Sequence, residues 1–232
     1  MRQIVAMGGG GFLMQDPALD RFVMDLVDAR RPKVCFLPTA SGDHPDGEAA
    51  LAVAFPAAGF DTSVLHLFDR DVADITAFLG EQDVVYVGGG NTISLLAVWR
   101  AHGVDTALRA AWEAGVVLAG MSAGANCWFE ACTTDSFLLG RADPLLDGLG
   151  FVAGSFTPHY DGEPARRPAV LDLIGSGALP DGHACDDFAA IHVVDGAIHE
   201  AVGSRAGARA FRVERVDDGV AEVALPIRSL TR

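Results

Sequence analysis

The chain has 232 residues, half of them hydrophobic and a fifth charged, with 27 glycines; this fits one α/β domain over residues 1–232 and excludes a disordered or fibrous chain. A formal net charge of -14, from 17 Lys and Arg against 31 Asp and Glu, argues against nucleic acid or an anionic membrane as partner, because both need clustered basic residues. An acidic substrate would need a local arginine to overcome the overall field at short range.

The first half alternates apolar runs with amphipathic segments: Gln3 to Met7, Ala18 to Ala29, Lys33 to Pro38, Gly47 to Ala58, Thr62 to Phe68, Asp71 to Leu79, Asp83 to Val87, a long helical stretch from Thr92 to Ala114, and Val116 to Ala119. This β-α rhythm predicts a mostly parallel sheet flanked by helices on both faces. After Gly124 the rhythm loosens. A helix is expected from Pro168 to Gly175, then strands such as Ala190 to Val194 and Arg209 to Val213, with turns at 194–197 and 217–219. Antiparallel strands are therefore expected to be appended in the C-terminal third. Cys35, Cys127, Cys132 and Cys185 have no Cys-x-x-Cys spacing and read as buried thiols in a reducing compartment. With no apolar run of about 18 residues, a soluble cytoplasmic location is expected, and a homodimer is left open.

Ligands of open parallel sheets bind beyond the carboxyl ends of the strands, so function is expected in the turns there. Gly120-Met121-Ser122-Ala123-Gly124 matches the G-x-S-x-G nucleophile elbow between an apolar strand and a helical segment. Ser122 is the candidate nucleophile. The Ala123 amide at the helix start is a candidate oxyanion donor, and Gly89 or Gly90 in Gly88-Gly89-Gly90-Asn91-Thr92 is the second, with Asn91 beside them or capping the next helix. A serine needs a base, and of seven histidines only His159, after the strand-like run 151–156 and Pro158, has a motif-like setting. His66, His192 and His199 read as structural, and His183-Ala-Cys185-Asp-Asp187 lacks a metal-ligand partner set, so neither metal nor cofactor is expected. Chain order Ser, acid, His leaves Glu130, at the expected end of the nucleophile helix, and Asp135 as acids, each otherwise a solvated or turn residue.

The runs Val-Gly-Gly-Gly-Asn-Thr (87–92), Gly-Met-Ser-Ala-Gly-Ala-Asn (120–126), Thr-Thr-Asp (133–135) and Thr-Pro-His-Tyr (157–160) together resemble the peptidase E group of serine peptidases, aspartyl dipeptidases related to cyanophycinase. The resemblance implies a fold similar to class I glutamine amidotransferase domains. It also implies hydrolysis of dipeptides with an N-terminal aspartate by Ser122, His159 and a carboxylate. Asp135 matches the run of better known members, although the interval after the serine is shorter here and no Asn precedes it; the Trp-Phe-Glu run at 128–130 resembles members using Glu, and the balance leans to Glu130. It further implies an arginine reading the aspartyl carboxylate, for which Arg166 is nearest, with Arg167 beside it. The expected partner is thus a small peptide. A cyanophycin-type β-aspartyl peptidase or an esterase would share the machinery. A nucleotide or small-ligand binding module on Gly8–Gly11 and Gly88–Gly90 is the non-enzyme alternative, weakened because Leu13 or Met14 stands where G-x-G-x-x-G needs its third glycine.

Overall fold

Apolar residues alternate between two helical layers along the first strand: Ile4 and Ala6 join one core, Val5 and Met7 the other. The computed structural model describes residues 1–56 and 59–231. Its larger sheet uses β1 (Gln3–Met7), followed by α1 (Pro17–Met24); β2 (Lys33–Leu37) and α2 (Pro45–Ala54); β3 (Asp61–Val64) and α3 (Ile75–Gly80); and β4 (Val84–Val87). Next come α4 (Thr92–His102), α5 (Val104–Ala114), β5 (Val117–Met121) and the single turn α6 (Ala123–Asn126). The chain continues through β6 (Phe129–Thr134), β7 (Asp143–Leu145), β8 (Val152–Thr157), α7 (Arg166–Gly175), β9 (Gly182–Cys185), β10 (Ala189–Val194), β11 (Ala197–Gly203), β12 (Ala210–Val216), β13 (Gly219–Ala224) and β14 (Ile227–Ser229).

Eight strands run in the order β14-β11-β10-β1-β5-β4-β2-β3, and β1, β5, β4, β2 and β3 are mutually parallel. Helices α1 and α2 cover one face through Leu19, Phe22, Leu51 and Phe55, while α4 and α5 cover the other through Leu95, Trp99, Leu108 and Trp112. The fold is thus mixed α/β, as expected, with β10 and β11 adding antiparallel strands beside β1. A second sheet of six strands, β13-β12-β9-β8-β6-β7, was not anticipated; it takes β12 and β13 away from the larger sheet. Phe129, Val152, Phe156 and Ala210 of this sheet share a core with Ile4 and Leu118 of the first.

The single helix expected from Thr92 to Ala114 is two helices, because Gly103 at φ 73° caps the first in the left-handed region and leads into the second. The helix expected at Gly47 to Ala58 starts at Pro45 and ends at Ala54, and Ala57 and Ala58 lie outside the described residues. Among the described residues no helix is long and apolar enough to cross a membrane.

Candidate active site

Strand β5 delivers its chain into a turn whose glycines have no substitute. A Cβ on Gly120 would stand 2.2 Å from the Gly124 carbonyl oxygen, and one on Gly124 would stand 2.3 Å from that of Val87. Ser122 between them has φ 54° and ψ -117°, a region in which a residue with a side chain is strained by roughly 1–3 kcal/mol. Its backbone is pinned all the same: the amide donates to Met7 O at 3.2 Å, and the carbonyl accepts from Ala125 and Asn126 at 2.9 Å each. The helix that follows is only one turn, Ala123–Asn126, so its contribution is a few free N–H groups rather than a long dipole.

His159 follows β8 and Pro158 and is also left-handed, at φ 51°. Its amide donates to Gly8 O at 3.3 Å, so Ser122 and His159 dock on the carbonyls of consecutive residues at the end of β1. The imidazole Nδ1 lies 2.6 Å from Asp187 Oδ1, in a partly exposed pair whose side chains are 17% and 22% accessible. Asp187 is held in turn: its amide donates to Asp161 Oδ1 at 2.8 Å, it bridges Gly9, and the Phe188 amide donates to Gly9 O at 2.9 Å. Phe188 has φ 65°, so of the six left-handed non-glycine residues among the described residues, three (Ser122, His159 and Phe188) gather round the end of β1. Strain of this kind concentrates where geometry is functional. With Nδ1–H donating to the carboxylate, Nε2 is left to accept a proton. No hydrogen bond joins Ser122 Oγ to His159 among the described residues; such contacts are commonly long without substrate.

The histidine's partner is therefore neither of the acids expected between serine and histidine. Glu130 lies in β6, not at a helix end, and its exposed carboxylate accepts from the Gly154 amide at 2.9 Å. Asp135, just past β6, makes no hydrogen bond or ion pair among the described residues. The structure brings neither Glu130 nor Asp135 to the histidine, and the carboxylate it places there is that of Asp187. The chain order Ser, acid, His looks for the carboxylate between the serine and the histidine, whereas Asp187 comes after the histidine, on the segment between β9 and β10. The signal the sequence offers for it is a carboxylate just past a strand end, in the run His183-Ala-Cys185-Asp-Asp187. Neighbouring Asp186 is raised above the usual carboxylate range by burial first and by the charge of Asp161 second.

Gly89 faces the serine, since a Cβ there would be 3.4 Å from Ser122 Cβ. Gly90, at φ 139°, instead packs on the preceding turn, where a Cβ would stand 2.2 Å from Ala40 O. Among the described residues the amides of Gly89, Gly90 and Ala123 donate to no protein acceptor. Asn91 is occupied as the N-cap of α4: its Oδ1 accepts from Ser94 N at 2.8 Å and its Nδ2 donates to Ser136 O at 3.2 Å. Both ends of the Asn91 side-chain amide are thus engaged within the protein.

Arg166 begins α7 and is buried, 3% exposed. Its Nε (3.0 Å) and Nη2 both donate to Glu163 Oε2, and Nη1 donates to Thr133 O at 3.3 Å. The same carbonyl accepts from Asn126 Nδ2 of α6 at 3.0 Å, tying the arginine to the turn behind Ser122. Of five guanidinium N–H groups three are used, leaving one each on Nη1 and Nη2. Arg167 lies further out, paired with Glu222. The Gly8–Gly11 run is not an open ligand cradle: a Cβ on Gly8 would be 2.3 Å from Asp186 O, and one on Gly9 would be 2.1 Å from Asp187 Oδ1.

The fold and these residues define an α/β protein of the class I glutamine amidotransferase-like type, with a serine on a strained elbow beside a histidine–carboxylate pair. Residues 4–201 match the profile of peptidase family S51. The peptidase YgaJ of Bacillus subtilis, itself uncharacterized, is 47% identical over 234 residues, covering 99% of this chain and all of that protein. Peptidase E of Streptomyces coelicolor is 33% identical over 152 residues, 66% of this chain and 59% of its own length. The crystal structure of a peptidase from an acI-B1 Actinobacterium superposes with a TM-score of 0.71 at 18% identity, over 98% of this chain and 95% of that one, a likeness of fold. The chain belongs to peptidase family S51 and is a peptidase.

Proposed function

We propose that this peptidase is a serine-type dipeptidase acting on Asp-X, with Ser122 as nucleophile, His159 as base and Asp187 as the acid that orients it. The observation that carries this reading is the 2.6 Å contact from His159 Nδ1 to Asp187 on a histidine docked beside Ser122 at the end of β1. His159 Nε2 takes the Ser122 proton as Oγ attacks the peptide carbonyl carbon. The resulting oxyanion is met by the amides of Ala123 and Gly89. Collapse breaks the C–N bond, and the imidazolium returns its proton to the leaving amine. Water, deprotonated by the same nitrogen, then attacks the acyl ester, releasing aspartate and restoring Ser122. Asp187 holds the tautomer and stabilises the imidazolium throughout.

The aspartate preference rests on the likeness to peptidase E and on Arg166. Its two unused N–H groups can take a carboxylate in a chain whose net charge otherwise repels one. The test is hydrolysis of Asp-Leu, Glu-Leu, isoaspartyl-Leu and an aspartyl ester by the native enzyme, Ser122→Ala and Asp187→Asn. Asp-Leu should turn over fastest, and Ser122→Ala should lose several orders of magnitude in kcat with its fold intact. Undiminished turnover by Ser122→Ala would falsify the nucleophile, and a lead for the isoaspartyl peptide would move the specificity to the β-aspartyl class.

A further inference from the structure

Strands β10 and β11 pair antiparallel, but their register slips beside His192: His192 faces Glu200 while Val193 faces Ile198, so His199 is the extra residue of a bulge. In an unbroken strand His199 and Glu200 would point to opposite faces; a bulge re-aims a side chain. Here ligand atoms of His192, His199 and Glu200 all fall within 4.8 Å of one another. The two imidazoles meet edge to face, with centroids 5.5 Å apart.

His192 is 4% exposed, with Nε2 3.1 Å from Gln3 Oε1. That oxygen can only accept, so Nε2 carries the hydrogen and Nδ1 presents a bare lone pair. The buried Nδ1 has no hydrogen-bond partner and lies 3.9 Å from Glu200 Oε1. An orphaned buried acceptor aimed at a carboxylate calls for something positive between them. Arg228 of β14 does not fill that place: it grips Glu200 through Nε at 2.6 Å and Nη2 at 3.0 Å while its guanidinium stacks over Phe22 of α1. A carboxylate has about four lone-pair directions, so Glu200 can keep Arg228 and still offer one to a cation.

We propose that His192, His199 and Glu200 form a binding site for a zinc-like transition-metal dication at the β10–β11 bulge. Two imidazoles and one carboxylate are donors that zinc accepts, leaving a fourth position open. Tetrahedral zinc holds its ligand atoms roughly 3.4 Å apart. The exposed His199 ring supplies the closing movement. Gln3 and Arg228 already hold the ligands as outer partners do in metal sites, one fixing a histidine tautomer and the other orienting a carboxylate. The site clips two strands and shares no residue with the Ser122, His159 and Asp187 cluster, so its occupancy is read through stability.

The test titrates Zn2+ into tag-free protein by calorimetry, with Co2+ as the spectroscopic probe. Expected are a single equivalent of Co2+ with d–d bands and no sulfur charge-transfer band, which excludes the four free cysteines, and a zinc-dependent rise in Tm. His199→Ala and Glu200→Gln should each weaken binding by at least about tenfold and abolish the rise, and Gln3→Leu should weaken it by about tenfold. His66→Ala, which removes a different histidine–carboxylate pair, should change nothing. Absence of binding at micromolar Zn2+, binding that survives both His199→Ala and Glu200→Gln, or a sulfur band with Co2+ overturns the site.

Discussion

His159 Nδ1 lies 2.6 Å from Asp187 Oδ1, and Asp187 is itself fixed by a backbone bridge to Gly9 and by its amide's bond to Asp161. A carboxylate so held selects one imidazole tautomer, and an amide in its place selects the wrong one. Asp187→Asn should therefore reduce kcat on Asp-Leu by roughly two to four orders of magnitude with little change in Tm. Glu130→Gln exchanges one acceptor for another on the Gly154 amide and should stay within about threefold of the native rate. Steady-state kinetics on both variants decides between the acids: equal losses would remove Asp187 from the proposed triad.

Gly8 and Gly9 are adjacent, yet a methyl group meets different neighbours at each. At Gly9 it would stand 2.1 Å from Asp187 Oδ1 and 3.1 Å from His159 Cε1, both side-chain atoms. At Gly8 it would stand 2.3 and 2.4 Å from the backbone oxygens of Asp186 and Cys185. Gly9→Ala should thus push the acid off the histidine, lowering kcat by at least about a hundredfold at a stability loss near 1 kcal/mol. Gly8→Ala should cost about 3 kcal/mol or more, because backbone cannot swing aside. Urea melts and kcat measured on the same preparations would separate these effects; matching stability losses would show that the two positions are equivalent.

What the sequence makes legible is local. The Ser122 elbow, the Gly88–Gly90 turn and the β-α rhythm are each specified within a dozen residues, and β1 and α7 appear close to where periodicity puts them. Asp187 is not legible that way, because it reaches His159 only through the Gly9 bridge and the turn after β9. The second sheet escapes notice for the same reason: β6, β8 and β9 pair in parallel across segments that no hairpin signal connects. Glu130 was placed at a helix end since nothing in Ala123–Glu130 announces that the helix stops after one turn. His192 and His199 looked like ordinary strand histidines, and only the one-residue bulge makes them neighbours of each other and of Glu200.

Arg166 and Glu163 set the next test. Two N–H groups of the Arg166 guanidinium already donate to Glu163, whose side chain is 44% exposed, so a substrate carboxylate shares the arginine with an internal competitor. Arg166 is buried but the Glu163 carboxylate is half exposed, and solvent screening at that end limits the competition to about 1 kcal/mol. Glu163→Gln should lower KM for Asp-Leu by up to roughly fivefold, leave kcat within about twofold, and leave KM for Asn-Leu unchanged. A raised KM for Asp-Leu would instead make Glu163 the group that aims the arginine.

Asp20 gives the stability of the fold a pH dependence of definite sign. Its carboxyl sits under the glycine turn, accepting from Phe12 N at 3.1 Å and from Tyr86 Oη at 3.2 Å. Burial raises its pKa from 3.8 to about 7, against the lowering effect of those two hydrogen bonds. Between these values the folded chain keeps a proton that the unfolded chain has released, so stability falls as pH rises through that window and levels off above it. At about 1.4 kcal/mol per unit the full effect is on the order of 4 kcal/mol. Asp20→Asn keeps an oxygen to accept both bonds and removes the ionisation. Its stability relative to the native chain should therefore rise by a few kcal/mol between about pH 4 and about pH 7 and then stay level. Urea denaturation at a series of pH values reads this directly. Parallel curves for the two proteins would show that Asp20 ionises in the folded state as readily as in the unfolded one.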